Sequence, residues 1–204
     1  MRRKRPNSRS RRTLLLDACG VLLGEPTDPL FKAVADSCNL PPDTVAVIFR
    51  ERFRDALWSG QLDEDAFWTD FAKSLGADRP SRSWRGVIDA SMHALPALHR
   101  LPAWSQHAEI IVISNHRREW LLPRLGALGV TKYAEELCIS SSTGLVKPDP
   151  AAYEHAVGGR DWSRILYVDD KLANVDAARG LGLRSLLADP EGSWTEAVEL
   201  WLGR

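Results

Sequence analysis

The stretch that decides the fold is Thr13-Leu14-Leu15-Leu16-Asp17-Ala18-Cys19-Gly20. A short apolar run that stops at an acid and is followed by glycine reads as a buried strand that ends in a turn. Similar runs recur at 109–114, 136–140, 164–168 and 184–187. Between them lie amphipathic segments at 117–128, 150–157, 172–181 and 193–201. Strands that alternate with helices predict an α/β protein with an open, Rossmann-like parallel sheet. The stretch from about residue 26 to 95 breaks that rhythm, with no buried strand and four expected helices at 29–38, 43–58, 63–75 and 81–93. The expected organisation is therefore a basic disordered arm (1–12), an α/β core (13–25 and 95–204) and an inserted helical-bundle cap (26–94).

Composition sets the bounds. A chain of 204 residues, 44% hydrophobic and 26% charged, is ordinary for a globular protein. At this length it should bury roughly 70% of the surface its unfolded form exposes. The formal charge of zero hides an asymmetry, because residues 1–12 hold seven of the 27 basic residues and no acid. The remainder carries 20 basic and 27 acidic residues, a net of −7. Such an arm fits either an anionic contact or, as expected here, a solubilising leader. Arg11-Arg12 followed by Thr13-Leu14-Leu15 faintly resembles a twin-arginine export signal, but Asp17 cuts the apolar run short. Cys19, Cys38 and Cys138 are odd in number and lack metal-ligand spacing, which suits free thiols in the cytoplasm. No run approaches the roughly 20 apolar residues of a membrane span. Neither a membrane nor a nucleic-acid partner is expected, and a monomer or homodimer is.

In open α/β sheets, ligands bind outside the carboxyl ends of the strands. Those ends carry Asp17, Ser114-Asn115-His116, the Lys147-Pro148-Asp149-Pro150 string and Asp169-Asp170. Brought together, three carboxylates repel and raise one another's pKa unless a cation joins them. A hard divalent ion such as Mg2+ suits oxygen ligands of this kind. Lys147 and Ser114 then suit a phosphate, and an aspartate can attack phosphorus.

Four ordered strings carry a resemblance: Asp17-Ala18-Cys19-Gly20-Val21-Leu22, Ile113-Ser114-Asn115, Leu145-Val146-Lys147-Pro148-Asp149-Pro150 and Tyr167 to Ala178. Together they resemble the motifs of the haloacid dehalogenase-like hydrolase superfamily, in its phosphatase-like branch with a helical cap after the first motif. The resemblance implies that Asp17 is the nucleophile and a metal ligand. It implies that Ser114 and the Asn115 backbone bind phosphoryl oxygens, that Lys147 neutralises charge, and that Asp169 and Asp170 hold Mg2+. The substrate it implies is a small phosphorylated metabolite. The chain departs from the pattern at Cys19, where most of these phosphatases place a second aspartate for proton transfer. The family's ligand at that position is the backbone carbonyl, which cysteine keeps, whereas a thiol with an ordinary pKa near ~8.5 suits proton transfer poorly. His116, expected to be exposed, is a candidate substitute carrier. Three readings follow: a phosphohydrolase of altered turnover, a 2-haloacid dehalogenase or phosphonate hydrolase, and a non-catalytic binding protein. A phosphonate hydrolase uses a cap lysine, for which only Lys32 and Lys73 are available. Trp58, Trp68 and Trp84 read as packing of the inserted helices, with an aromatic-lined pocket as the alternative. At most one or two of Arg50, Arg52 and Arg54 are expected to reach a substrate.

Overall fold

The computed structural model describes residues 11–204. Five parallel strands form one sheet in the order β3-β2-β1-β4-β5. These are β1 (Arg12–Leu16), β2 (Ala108–Ser114), β3 (Ala134–Ile139), β4 (Ile165–Asp169) and β5 (Arg184–Leu187). The first strand sits in the middle because its residues are apolar on both faces. Leu14 and Leu16 join a cluster with Ile110, Val112, Leu166 and Val168. Leu15 joins Ile111, Ile113, Ile165 and Tyr167 on the opposite face. Alternate residues thus feed two cores, as a sheet covered on both sides requires.

Register explains why the strand ends meet. Leu16 pairs with Val112 on one side and with Val168 on the other. Asp17 and Asp169 each lie one residue beyond such a pair and Ser114 lies two beyond, so all three reach the same edge of the sheet. The strand starts at Arg12 rather than Thr13 and ends before Asp17, whose N–H still donates to Val168 O at 2.9 Å. Residues 136–140 likewise form only part of β3, because Ser140 already begins a short helix.

The stretch from residue 26 to 95 holds five α-helices rather than four: α1 (Thr27–Cys38), α2 (Pro42–Arg52), α3 (Arg54–Trp58), α4 (Glu64–Ser74) and α5 (Arg82–Ser91). The helix expected over 43–58 breaks at Phe53, whose φ is −126°. That ring is buried edge-on against Phe67 and Phe71, at 5.7 and 5.5 Å between centroids. Asp63 starts α4 by accepting from Ala66 N at 2.9 Å, with Glu64 and Asp65 in the first turn, where the helix dipole favours negative charge. The chain leaves and re-enters the sheet layer through two segments lying side by side, with Gly24 N donating to His93 O and Leu95 N to Leu22 O, both at 2.9 Å. A Cβ at Gly24 would lie 2.2 Å from Ser91 O, so this crossing needs glycine.

The remaining helices are α6 (Leu101–Trp104), α7 (Arg118–Ala127), α8 (Ser140–Thr143), α9 (Pro150–Val157), α10 (Leu172–Gly180) and α11 (Trp194–Leu202). The short α6 and α8 were not expected. The last two residues of the expected arm belong to the fold: Arg12 opens β1 and donates to Leu202 O, and Arg11 donates to Ser105 O. The rest of that arm, 1–10, lies outside the described residues. Among the described residues, no helix is long and apolar enough to cross a membrane.

Candidate functional site

Asp17, Asp169 and Asp170 meet at the carboxyl edge of β1 and β4, each offering an oxygen within 4.8 Å of the others. Lys147 is buried between two of them. Its Nζ lies 3.1 Å from Asp17 Oδ1 and 2.6 Å from Asp169 Oδ2, and it donates to Ile113 O at 3.0 Å. Asn115 holds the lysine's loop in place: its Nδ2 donates to Lys147 O at 2.7 Å, and its Oδ1 accepts from Lys147 N at 2.8 Å. The Asn115 side chain is therefore committed to the Lys147 backbone.

The three aspartates differ in environment. Asp169 accepts from Lys147, the Tyr167 hydroxyl, Lys171 N and Asn174 Nδ2. Burial alone would raise its pKa, but Lys147 and these donors hold it below the usual carboxylate range. Asp17 accepts from Ala18 N at 2.7 Å and is pushed up to about 7 by burial and by its two acidic neighbours, against the pull of Lys147. Asp170 is raised to about 6, mainly by burial. Its Oδ1 is buried without a hydrogen-bond partner.

A turn packs against that acid. Gly20, at φ +86°, would place any Cβ 2.4 Å from the Asp170 carboxylate, so glycine lets the turn after Asp17 close on Asp170. Within the turn, Ala18 O accepts from Leu22 N and Leu23 N, while Cys19 O accepts no hydrogen bond among the described residues. The Cys19 carbonyl thus remains available as a ligand. Its thiol is buried, and burial, aided by Glu25 and Asp17, pushes it well above the ordinary thiol range.

Charge supports a cation here. Among the described residues Lys147 pairs with Asp17 and Asp169, and Lys171 with Glu25, while Asp170 is left without an ion-pair partner. Together with the unpartnered Asp170 oxygen, that donor set fits a hard divalent ion.

A cavity of ≈ 270 Å³ opens over Asp17, bordered by Ser114, Asn115, His116, Lys147, Trp58 and Arg54. Two expectations are corrected here. His116 is only 3% exposed, because Trp58 and Trp120 cover its ring at 5.4 and 5.8 Å between centroids. Trp58 is not wholly core packing: it is half-buried and forms part of the cavity wall, whereas Trp68 and Trp84 are buried among the inserted helices. Lys32 and Lys73 do not border the cavity.

The sequence reading missed Glu25, Lys171, Asn174 and Tyr167. Lys171 Nζ pairs with Glu25 Oε2 at 3.2 Å at the cavity rim. Lys171 and Asn174 stand inside the Tyr167–Ala178 string, so that string was the signal that could have found them; Glu25 carried none.

The family model for haloacid dehalogenase-like hydrolases matches residues 12–182, and the chain belongs to that family of hydrolases. No curated protein matches the sequence. Among solved structures, a family enzyme from Bacteroides thetaiotaomicron, an Asp-to-Ala mutant in complex with magnesium and inorganic phosphate, superposes with a TM-score of 0.77 at 16% identity, covering 93% of this chain and 99% of that one. A predicted hydrolase of the family from Porphyromonas gingivalis gives 0.72 at 21% identity, covering 95% and 98%. L-2-haloacid dehalogenase from Xanthobacter autotrophicus gives 0.62 at 17% identity, covering 95% and 84%. At these identities the likeness is one of fold.

Proposed function

We propose that this hydrolase is a Mg2+-dependent phosphohydrolase that acts on a small phosphorylated metabolite through an aspartyl-phosphate at Asp17. The observation that carries this reading is the cluster of three carboxylates with an unpartnered Asp170 oxygen. Asp17, Asp169, Asp170 and the Cys19 carbonyl would hold the ion, which supplies charge neutralisation for a phosphoryl group. The magnesium and phosphate bound by the Bacteroides relative agree with it.

Ser114 and the Asn115 backbone bind phosphoryl oxygens, and Lys147 restrains the Asp17 carboxylate and balances charge. An Asp17 oxygen attacks phosphorus and the ester oxygen leaves with the bonding pair. Water then attacks phosphorus, returning phosphate and free Asp17. With Cys19 where a proton donor is expected, the leaving oxygen departs largely unassisted. Such proton transfer contributes about 10²–10⁴-fold, so acyl and aryl phosphates should outrun alkyl phosphates.

Phosphate release with Mg2+, over acyl, aryl and alkyl phosphates, tests the reading. Asp17→Asn should abolish turnover, and Cys19→Asp should raise turnover of an alkyl phosphate by at least tenfold. If neither substitution changes any rate, the phosphohydrolase reading is wrong. Metal-free halide release from a 2-haloacid would instead establish the dehalogenase reading.

A further inference from the structure

The buried His116 ring borders the cavity and carries an unused hydrogen-bonding atom. Its Nδ1 lies 3.2 Å from Arg117 O. A carbonyl oxygen can only accept, so Nδ1 carries the proton and Nε2 of the neutral ring is an acceptor. That Nε2 is buried and has no partner. Interiors rarely leave such an atom unsatisfied, and an orphan at a cavity wall points to a group that arrives with a ligand.

The ring is also held rigidly. Its backbone N–H donates to Ser140 Oγ at 3.0 Å, Trp58 lies at an interplanar angle of 30°, and Trp120 meets it edge-on at 82°. His116, Trp58 and Thr27 border both the main cavity and a small apolar pocket lined by Leu30, Phe31 and Phe49. The part of a ligand remote from Asp17 therefore meets one flat indole and one fixed acceptor.

We propose that His116 selects the substrate: its Nε2 accepts a hydrogen bond from a hydroxyl or amine carried by the leaving group of a small phosphate monoester that lies against Trp58. The phosphate in this statement rests on the reading above; the acceptor at Nε2 does not. His116 is on this view a specificity-determining contact, separate from the groups that surround the phosphorus.

The test is binding to the Asp17→Asn protein in Mg2+, by calorimetry, of phenyl phosphate and of 2-, 3- and 4-hydroxyphenyl phosphate. At least one hydroxylated probe should bind about tenfold more tightly than phenyl phosphate, as one satisfied hydrogen bond allows. His116→Phe, which keeps an aromatic ring beside Trp58 and Trp120, should erase that gain, and His116→Gln, with a carbonyl acceptor, should restore part of it. In the parent protein, the Nε2 nitrogen resonance should shift with the hydroxylated probe and not with phenyl phosphate, a readout that needs no substitution of His116. Equal affinity for all four probes, absence of binding, or a gain that survives in His116→Phe overturns the inference. A gain that depends on His116, with no phosphate release by the unsubstituted enzyme, would instead overturn the phosphohydrolase reading alone.

Discussion

Gly20 carries two constraints at once, a left-handed backbone and a neighbour where a Cβ would stand. Gly20→Ala should cost about 1–3 kcal/mol from backbone strain, read as a lower urea midpoint. It should also weaken Mg2+ binding in a titration, because the Asp170 carboxylate must shift to admit the methyl group. Lys147 makes the complementary case. With its side chain 1% exposed between Asp17 and Asp169, Lys147→Met leaves two buried acids without their cation. Breaking a buried pair in this way costs about 3–5 kcal/mol, measurable by urea unfolding of the metal-free protein. Added Mg2+ should then raise the midpoint of the variant more than that of the parent. Asp17, Ser114, Asp169 and Asp170 could be brought together from the sequence because parallel strands deliver their ends to one edge, whereas Lys147, eight residues past the end of β3, was marked by its string alone. The environment of His116 could not be found there, since its cover comes from Trp58 in the insert and Trp120 in a later helix. The Glu25–Lys171 pair joins residues 146 apart and leaves no local trace.

The contact between the inserted helices and α7 joins a polar cluster to the aromatic packing of Trp120 against Trp58, Phe67 and Trp68. Glu64 on α4 accepts from Trp120 Nε1 at 2.7 Å and from Trp68 Nε1 at 3.2 Å, and it pairs with Arg85 on α5. Arg117 Nη1 reaches Leu62 O at 2.7 Å, and Arg85 Nη2 reaches Glu119 O at 3.1 Å. Glu64→Ala strands two indole N–H groups, while Arg85 keeps its bond to Glu119 O, and should destabilise the protein by about 2–4 kcal/mol in urea unfolding. Glu64→Gln can keep the one oxygen that both indoles share and should lose less. The helices on both sides of this contact were readable from their apolar spacing and from Asp63-Glu64-Asp65. The break at Phe53 was not, because it serves an aromatic cluster assembled from three helices. The short α6 and α8 escaped for a simpler reason: four residues carry too little periodicity to register.

Over the whole molecule, the three thiols are unpaired, and two of them are buried. Burial lifts Cys138 to about 11 and Cys19 well above the ordinary range, so neither forms appreciable thiolate at pH 8. A disulfide reagent at that pH should label Cys38 first and reach the other two only on unfolding, as mass spectrometry of timed samples would reveal. The topology has a consequence of its own. The strand that delivers Asp17 is bonded on both sides, to β2 and to β4, and neither of its flanks is an edge. Its amide protons can meet solvent deuterium only when the sheet as a whole comes apart, whereas those of β3 and β5 can exchange through fraying at the rim. The floor of the candidate site is thus tied to the last part of the molecule to open. Loss of activity on heating should coincide with global melting rather than precede it.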